Sequence, residues 1–508
     1  MLIPMGAVPG FHAQQRGPQT AAVRQGEDVL SWGELDTRST RRAWALKDRG
    51  VAKGDFVTLA LANGIELFEW TFSIWKLGAT PHLVSCKLPA VELQALLELA
   101  QPKAVVGTAS TRASIHNALP TDYGLVEGRD DPLPEAEAPH WKAMSSGGST
   151  GRPKIIVDHK PGVYDTDSVY LRVGPNEVVL NPGPLYHNAP FSMSHNALFK
   201  GNHLVGMDRF DAEEALRLID RWKVTSVNFV PTMMLRIWRL PQETKAKYDI
   251  SSLRNVWHMA APMPAWLKLA WIEWIGPEKI NEAYAGTEQV GSTVINGVEW
   301  LTHQGSVGRP RNSQIRILDE QGKELPSGAV GEIYFKPVSA QKLYHYIGSD
   351  RREAAGGDES LGDFGWLDEE GYLYLADRRT DLIVSGGANI YPAEIESALM
   401  EHPGVQVAVV VGLPHEDLGA AAHAIIQRNP AWQDELTADI LTGFLKDRLV
   451  KYKLPRSFEF VATELRDEGG KVRRSQLREE RMAASRPSSS LHGGGVLPIE
   501  SKLKESSR

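Results

Sequence analysis

The stretch that decides the fold runs from residue 362 to residue 399 and reads GDFGWLDEEGYLYLADRRTDLIVSGGANIYPAEIESAL. Glycines bracket Asp363, which predicts a turn, and residues 371–375 form a short apolar strand. Four charged residues then crowd positions 377–381, and this segment is too charged to be buried. Taken alone, the pattern fits an ordinary strand-turn-strand corner equally well.

The same stretch divides the chain unequally. A second strand at residues 382–384 ends at glycines, and a helix follows with Pro392 at its first position, where no backbone hydrogen bond is lost. A charged hinge therefore separates a long globular part from a short one. We expect a large domain at residues 1–378, a small mobile domain at 379–484, and a disordered low-complexity tail at 485–508.

Composition argues against several classes of function. The 508 residues carry a net charge of -7, so nothing favours nucleic acid as a partner. The single cysteine, Cys86, excludes an intrachain disulfide and a thiolate metal cluster. No apolar run reaches the ~18 residues of a membrane span, and the start of the chain, with Pro4 and Pro9, does not resemble a signal peptide. We expect a soluble cytoplasmic protein.

The first part of the chain alternates strands and helices. Residues 29–83 follow the order strand, helix, strand, helix, and Phe68, Phe72 and Trp75 recur at the spacing of one helical face. A further helix is predicted at residues 91–100. This alternation predicts a layered α/β fold.

Residues 145–154, SSGGSTGRPK, have the composition of a phosphate-binding loop. Glycines allow backbone N–H groups to converge, hydroxyls add donors, and Arg152 and Lys154 add positive charge. The segment is not a P-loop, because the Gly-Lys-Ser/Thr ending is missing. The alternative is a flexible Ser/Gly linker, although the apolar residues after Lys154 indicate entry into a buried strand.

Three further segments carry side chains suited to chemistry. His187 lies in NPGPLYHNAPF at the end of a predicted strand, where a lone histidine is more often structural. YAGTE, residues 284–288, combines an aromatic face for a purine, a hydroxyl, and the hard carboxylate oxygen of Glu288, which suits Mg²⁺. Lys471 lies in GGKVRRSQLRE, where an exposed lysine is usually just solvated.

In this order, the segments resemble the adenylate-forming superfamily, which contains acyl- and aryl-CoA synthetases, luciferases and peptide-synthetase adenylation domains. The resemblance covers residues 30–480 and is specific, because several motifs occur in the family's order. It implies an α/β fold in which a large multi-sheet N-terminal domain is joined by a hinge to a small α+β C-terminal domain. The wording of the motifs is most similar to bacterial ligases for fatty acids and for bile or steroid acids.

The resemblance also assigns roles to individual residues. The implied catalytic residues are Lys471, Thr287, Glu288 and His187, and Glu288 is also the implied Mg²⁺ ligand. The implied ATP- and AMP-binding residues are Ser146, Gly148, Ser149, Thr150, Gly151, Lys154, Ala260, Ala261, Pro262, Tyr284, Asp363 and Arg378. The implied contacts for coenzyme A are Ser385, Gly386 and Gly387, and the implied hinge is Thr380.

The sequence departs from the family's usual pattern at four places. Gly147 replaces a serine of the phosphate loop, and Ala285 replaces a glycine beside Tyr284. Asp467-Glu468-Gly469 replaces the Pro/Ser-type residues before the catalytic lysine. Thr380 stands where aspartate or lysine is common. These departures leave the implied chemistry in place but change the surroundings of the loop and the hinge.

The implied function is ligation of a hydrophobic carboxylic acid (fatty, steroid or bile side-chain, or aryl) to coenzyme A, through an acyl-adenylate formed from ATP with Mg²⁺. Two alternatives remain open: transfer of the acyl group to a carrier-protein phosphopantetheine, and a non-catalytic nucleotide-binding regulator. Met193, Phe229, Met233 and Met234 fit either an adaptable acyl pocket or the core. A homodimer is also left open.

Overall fold

The computed structural model describes residues 1–125, 129–146, 153–337, 342–354, 356–378 and 381–484. Within them, the strands are β1 (Leu2–Pro4), β2 (Ala21–Gln25), β3 (Asp28–Ser31), β4 (Phe56–Ala60), β5 (Thr80–Leu83), β6 (Ala104–Gly107), β7 (Ala143–Ser146), β8 (Lys154–Asp158), β9 (Val163–Asp165), β10 (Val178–Asn181), β11 (His203–Gly206), β12 (Ser226–Phe229), β13 (Asn255–His258), β14 (Ile280–Ala285), β15 (Ser292–Asn296), β16 (Ser306–Arg311), β17 (Ser313–Leu318), β18 (Gly331–Pro337), β19 (Tyr344–Ile347), β20 (Glu359–Leu367), β21 (Leu373–Arg378), β22 (Ile383–Ser385), β23 (Ala388–Ile390), β24 (Val405–His415), β25 (Gly419–Arg428) and β26 (Ser457–Val461).

The α-helices within the same residues are α1 (Val8–Arg16), α2 (Trp32–Asp48), α3 (Ile65–Lys76), α4 (Ala90–Ala100), α5 (Ala109–Ser114), α6 (Asn188–Phe199), α7 (Ala212–Trp222), α8 (Pro231–Trp238), α9 (Gln242–Lys245), α10 (Ala265–Ile275), α11 (Gly297–Thr302), α12 (Pro392–Met400), α13 (Ala438–Lys446) and α14 (Arg474–Ala484). Short 3₁₀ turns are found at Met5–Ala7, Pro277–Lys279, Pro430–Trp432 and Lys451–Lys453.

Thirteen of these strands form one sheet in the order β17-β18-β20-β21-β16-β15-β14-β13-β12-β10-β11-β2-β3. Its central strands, from β14 through β13, β12 and β10 to β11 and β2, run parallel. Parallel strands need crossover connections, and helices such as α7 and α10 supply them. The carboxyl ends of β10, β12, β13 and β14 therefore meet at one edge, where ligands of open α/β sheets bind.

A six-stranded sheet, in the order β19-β8-β7-β5-β4-β6, forms a second layer. Strands β4, β5, β6 and β7 are parallel, whereas β8 runs antiparallel to both β7 and β19. The predicted phosphate loop connects β7 to β8, since β7 ends at Ser146 and β8 begins at Lys154.

The last part of the described chain has its own core. Strands β22 to β26 form a five-stranded sheet, and α12 and α13 pack on it through Ile395, Leu399, Leu441 and Leu445. Among the described residues, no hydrophobic cluster combines side chains from before residue 378 with side chains from after residue 381. The predicted α/β class, with a large N-terminal domain and a smaller C-terminal one, is confirmed. The boundaries at 378, 379 and 484 stay predictions, and residues 485–508 lie outside the described chain.

The stretch around residue 362 differs from the prediction in one respect. Asp363 lies inside β20, not in a turn, because β20 pairs with both β18 and β21. Gly362 has a φ of +83° and lies at an irregularity in the β18–β20 pairing, between Ser360 and Phe364. Asp377 and Arg378 likewise end β21 instead of forming a turn, while α12 begins at Pro392 as predicted.

Two helices of the large domain bury tryptophan side chains in the core. Trp75 is buried on α3, and Trp271 is buried on α10, whose other tryptophans are partly buried against the same cluster. Among the described residues, every helix is too short or too polar to span a lipid bilayer.

Candidate active site

The edge where the central parallel strands end carries several of the predicted site residues. His187 lies six residues beyond β10, Ala260 lies two residues beyond β13, and Thr287 lies two residues beyond β14. Ala260 has a φ of +74°, a left-handed conformation that costs a non-glycine residue about 1 kcal/mol or more. Such local strain is typical of functional turns. Ala261 and Pro262 continue this turn at the same edge.

Tyr284 and Asp363 come together although they are far apart in the sequence. The Tyr284 hydroxyl donates a 2.7 Å hydrogen bond to Oδ2 of Asp363. Asp363 is in turn the cross-strand partner of Arg378 in the β20–β21 pair. The side chain of Arg378 is outside the described part of the structure. This arrangement groups an aromatic ring with the residue pair predicted to hold a ribose.

Glu288 is buried beside the end of the phosphate loop. Its Oε1 accepts a 2.6 Å hydrogen bond from the hydroxyl of Tyr346 and lies 3.7 Å from Nζ of Lys154. The same ammonium lies 3.9 Å from the centre of the Tyr346 ring, within the range of a cation–π contact. Burial and then the charge of Glu288 raise the pKa of Tyr346, so its hydroxyl stays protonated and donates.

Tyr346 is a site residue that the sequence analysis missed. It reaches Glu288 because β19 pairs with β8, with Tyr346 opposite Ile156. The available signal was weak: Tyr344 and Tyr346 alternate in a short strand, which places both rings on one face. Nothing local connects that strand to a residue 58 positions earlier.

A buried polar chain supports the start of the phosphate loop. His82 contacts Oγ1 of Thr58 through Nδ1 and Oγ of Ser145 through Nε2, both at 2.9 Å. Complete burial lowers the pKa of His82 to about 4, so the imidazole is neutral at pH 7 and bridges the two hydroxyls. Ser146 follows as the last residue of β7, and its side chain is outside the described set. The remaining loop residues predicted to bind phosphate, Gly148, Ser149, Thr150 and Gly151, also lie outside the described residues.

His187 meets the C-terminal domain. Its Nε2 lies 3.7 Å from Oδ2 of Asp467, and the ring packs against the backbone of Gly469. A Cβ added to Gly469 would lie only 2.3 Å from two atoms of the imidazole, so this approach requires glycine. The loop that carries Lys471 therefore packs directly against His187, which the sequence analysis predicted to be a site residue.

Asp467 also organises the Lys471 loop itself. Its Oδ1 accepts hydrogen bonds from the backbone N–H of Gly469 (2.9 Å) and of Lys471 (2.8 Å). Arg466 donates from Nη1 to the carbonyl of Gly470 at 3.0 Å. Lys471 is exposed at the end of this turn, with its backbone held by the carboxylate.

Ion pairs between the two domains surround this contact. Lys87 pairs with Glu468, and Arg473 Nη1 lies 3.1 Å from Oε1 of Glu92. A cavity of about 820 Å³ opens beside them, lined by residues of both domains. Tyr186, Phe210 and Met233 line it from the large domain, and Arg466 and Asp467 from the small one.

The predicted contacts for coenzyme A lie in the C-terminal domain. Ser385 ends β22, and Gly386 and Gly387 form the two-residue turn to β23, with φ of +56° and +83°. A two-residue hairpin of this kind requires positive φ at both positions, which explains the glycine pair. The N–H of Gly386 donates to the carbonyl of Leu418 at 2.9 Å. Thr380, the predicted hinge, lies outside the described residues.

Comparison with known proteins agrees with this geometry. Residues 11–345 match the model of the AMP-binding enzyme family, and residues 394–471 match that of the AMP-binding enzyme C-terminal domain. A 2-succinylbenzoate–CoA ligase of Bacillus licheniformis is 30% identical over 483 residues, covering 91% of this chain and 97% of that protein. A long-chain-fatty-acid–CoA ligase of Mycobacterium tuberculosis is 30% identical over 486 residues, covering 91% and 95%.

Solved structures show the same similarity. The o-succinylbenzoate CoA synthetase of Bacillus subtilis, in complex with its acyl-adenylate intermediate, is 26% identical with a TM-score of 0.79, covering 94% of this chain and 98% of that one. The same enzyme in complex with ATP and a magnesium ion gives a TM-score of 0.78 at 26% identity, covering 94% and 100%. The chain therefore belongs to the AMP-binding enzyme family of the adenylate-forming superfamily, as an AMP-forming acid–CoA ligase.

Proposed function

We propose that this ligase activates a hydrophobic carboxylic acid with ATP and transfers the acyl group to coenzyme A, releasing AMP and pyrophosphate. One observation carries the proposal. At the end of β14, Tyr284 contacts Asp363, and four residues later Glu288 approaches Lys154 at the end of the phosphate loop. The short segment 284–288 thus begins beside Asp363, the proposed partner of the ribose, and ends beside Lys154, a proposed partner of the phosphates.

In this proposal, the nucleoside lies along the edge formed by β13, β14 and β20. The ring of Tyr284 stacks on adenine, and Ala260 to Pro262 form the opposite wall. Asp363 accepts hydrogen bonds from both ribose hydroxyls, and Arg378 donates to them. The hydrogen bond from Tyr284 to Asp363 supports these roles, because it orients the carboxylate before the nucleotide arrives.

The phosphates lie between β8 and the turn after β14. Lys154, Thr287 and the loop residues Ser146, Gly148, Ser149, Thr150 and Gly151 supply the donors for them. One carboxylate fits Mg²⁺, which usually binds through one or two carboxylates together with substrate phosphates, and Glu288 provides it. Mg²⁺ held by Glu288 would supply positive charge next to the departing pyrophosphate. The Tyr346 hydroxyl supports this role, because it fixes one oxygen of Glu288.

Adenylate formation takes place near His187. A carboxylate oxygen of the acid attacks the α-phosphorus, the bond from that phosphorus to the bridging oxygen breaks, and pyrophosphate leaves with the electron pair. Lys471 adds positive charge where the acid meets the α-phosphate, which stabilises the transition state. His187 lines the place of the attacking carboxylate. The contact between Gly469 and the His187 ring supports this arrangement, because it brings the loop that carries Lys471 close to His187.

Thioester formation uses the other face of the C-terminal domain. Rotation about Thr380 withdraws Lys471 and presents Ser385, Gly386 and Gly387 to the pantetheine arm of coenzyme A. The thiolate attacks the acyl carbonyl carbon, the bond to AMP breaks, and AMP leaves; the thiol proton goes to solvent. The separation of the hydrophobic cores on either side of residues 379–380 supports a rotation at this point.

The proposed acid is large and apolar. The cavity of about 820 Å³ lined by Tyr186 and Asp467 is large enough for a bulky acyl group. Phe210, Leu218 and Met233 form an apolar part of a lining that also contains charged side chains. All four residues left open by the sequence are buried, Met193, Phe229 and Met234 as well as Met233. Met233 is the one of the four that lines the cavity, and it therefore suits an acyl pocket best.

The test is a panel of acids scored for AMP formation that depends on coenzyme A: acetate, octanoate, palmitate, ferulate, 2-succinylbenzoate and cholate. We expect the highest kcat/KM for a fatty, polycyclic or aryl acid with a single carboxylate, which in this panel means octanoate, palmitate, cholate or ferulate. A preference for acetate or 2-succinylbenzoate would contradict the proposed substrate class. Replacing coenzyme A with a holo carrier protein tests the acceptor, since faster transfer to the carrier would overturn the assignment of free coenzyme A. The homodimer and the cytoplasmic location stay predictions.

A further inference from the structure

A lysine and an aspartate form a buried pair behind the site. Lys142, just before β7, has a side chain that is 1% exposed, and Asp158, the last residue of β8, has one that is 4% exposed. Their Nζ and Oδ2 atoms are 3.5 Å apart. Burying two charges costs desolvation energy, and a well-packed apolar pair of similar volume is often equally stable. Stability alone therefore does not explain this pair, and its role depends on the polar groups that the two side chains contact.

One branch of contacts leads to His187. Nζ of Lys142 donates a hydrogen bond to Oδ1 of Asn188, the residue that follows His187 and begins α6. The Ser192 hydroxyl donates to the same oxygen at 3.3 Å. Lys142 thereby holds the first turn of α6, and with it the backbone that carries the imidazole.

The other branch leads to Glu288. Oδ2 of Asp158 accepts a hydrogen bond from Nε2 of Gln289, the residue that follows Glu288. Glu288 itself approaches Lys154, the first residue of the same strand. Two consecutive residues thus reach opposite ends of β8. Gln289 has a left-handed backbone with a φ of +57°, so the turn is bent sharply between these two anchors.

We propose that Lys142 and Asp158 are a positioning pair that sets the relative places of His187 and Glu288, and so aligns the carboxylic acid with the phosphate end of ATP. The inference rests on the roles proposed above for those two residues. An apolar pair could fill the same space, but it could offer neither a donor to Asn188 nor an acceptor to Gln289. The sheet that carries the phosphate loop is joined in this way to both motifs of the larger sheet.

Two single variants cut one branch each and leave the buried charge pair intact. Gln289→Met removes the donor to Asp158, and we expect the Mg²⁺ and ATP requirements to rise about tenfold with little change in the KM of the acid. Asn188→Ala removes the acceptor for Lys142, and here we expect the KM of the acid to rise about tenfold. The Mg²⁺ and ATP requirements of this variant should change little. Asn188→Asp retains an acceptor and should restore the acid's KM. Gln94→Met, on an exposed face of α4, is the matched control.

Calorimetric titration with ATP, with and without MgCl₂, gives a readout that does not depend on turnover. It should show weaker binding for Gln289→Met and unchanged binding for Asn188→Ala. A double variant, Lys142→Met with Asp158→Leu, leaves no unpaired charge and should weaken both ATP binding and use of the acid. If it does not fold, the two single variants decide.

Two results would overturn the proposal: equal effects of the two single variants on both substrates, or a folded double variant with wild-type constants for both. Failure of the proposed function is a different result, in which the wild-type enzyme binds ATP but forms no acyl-adenylate with any acid of the panel. Calorimetry on Gln289→Met and the double variant then still decides whether the pair positions the ATP site.

Discussion

Asp467 of the C-terminal domain lies 3.7 Å from His187 of the N-terminal domain, measured between Oδ2 and Nε2. Burial alone would raise the pKa of Asp467, but the nearby His187 imidazole and the hydrogen bond from the Lys471 backbone lower it below its ordinary value. The carboxylate is therefore charged at neutral pH. It holds the Lys471 loop with one oxygen and faces the acyl side of the site with the other.

The first prediction concerns the glycine that makes this contact possible. Gly469→Ala places a methyl group on the His187 ring and pushes the loop away. Overpacking of this kind costs about 1–3 kcal/mol, so we expect adenylate formation to fall ~10- to 100-fold. Thioester formation from a presynthesised acyl-adenylate should stay close to wild type. Gly443→Ala, which has open space around its Cβ position, serves as the control, and equal losses in the two glycine variants would contradict the docking role.

The second prediction concerns Lys471. Lys471→Ala removes one transition-state charge contact, so we expect pyrophosphate release to fall by ~10² or more. The reaction of presynthesised acyl-adenylate with coenzyme A should remain nearly unchanged, because that step takes place after the loop has withdrawn. An equal loss in both half-reactions would rule out rotation of the domain.

The third prediction concerns the carboxylate beside Lys154. Glu288→Gln retains the size of the side chain and removes its charge, so we expect the Mg²⁺ titration to shift to higher concentration and turnover to collapse, with thermal stability unchanged. Tyr346→Phe removes only the hydroxyl that fixes Oε1, and we expect a smaller shift in the same direction, about tenfold at most. An unchanged Mg²⁺ titration for Glu288→Gln would mean that the metal binds elsewhere.

The fourth prediction concerns the hinge. Rotation requires backbone freedom at Thr380, and proline would fix φ near -65° and remove one N–H. We expect Thr380→Pro to spare one half-reaction and damage the other, depending on which orientation it retains. Thr380→Asp and Thr380→Lys should be nearly silent, because charge there is not needed. Timing pyrophosphate release and thioester formation separately checks this, and equal slowing of both steps by proline would place the pivot elsewhere.

Much of the architecture could be read from local patterns. The start of α12 at Pro392, the helical face that buries Trp75, and the glycine pair after Ser385 all depend on residues close together in the chain. Local backbone preferences and helical periodicity are sufficient for such features. The order of the motifs likewise identified the family, because their composition reflects contacts with one type of substrate.

Contacts between distant segments were decided only by the tertiary structure. Asp363 was predicted in a turn because glycines flank it, yet pairing with two neighbouring strands draws it into β20 and places it opposite Arg378. Tyr346 reaches Glu288 only through the pairing of β19 with β8. Strand pairing depends on residues far apart in the chain, so no local pattern specifies it. The sequence by itself therefore determined which side chains carry the chemistry, and the packing of the two sheets and the small domain decided which of them meet.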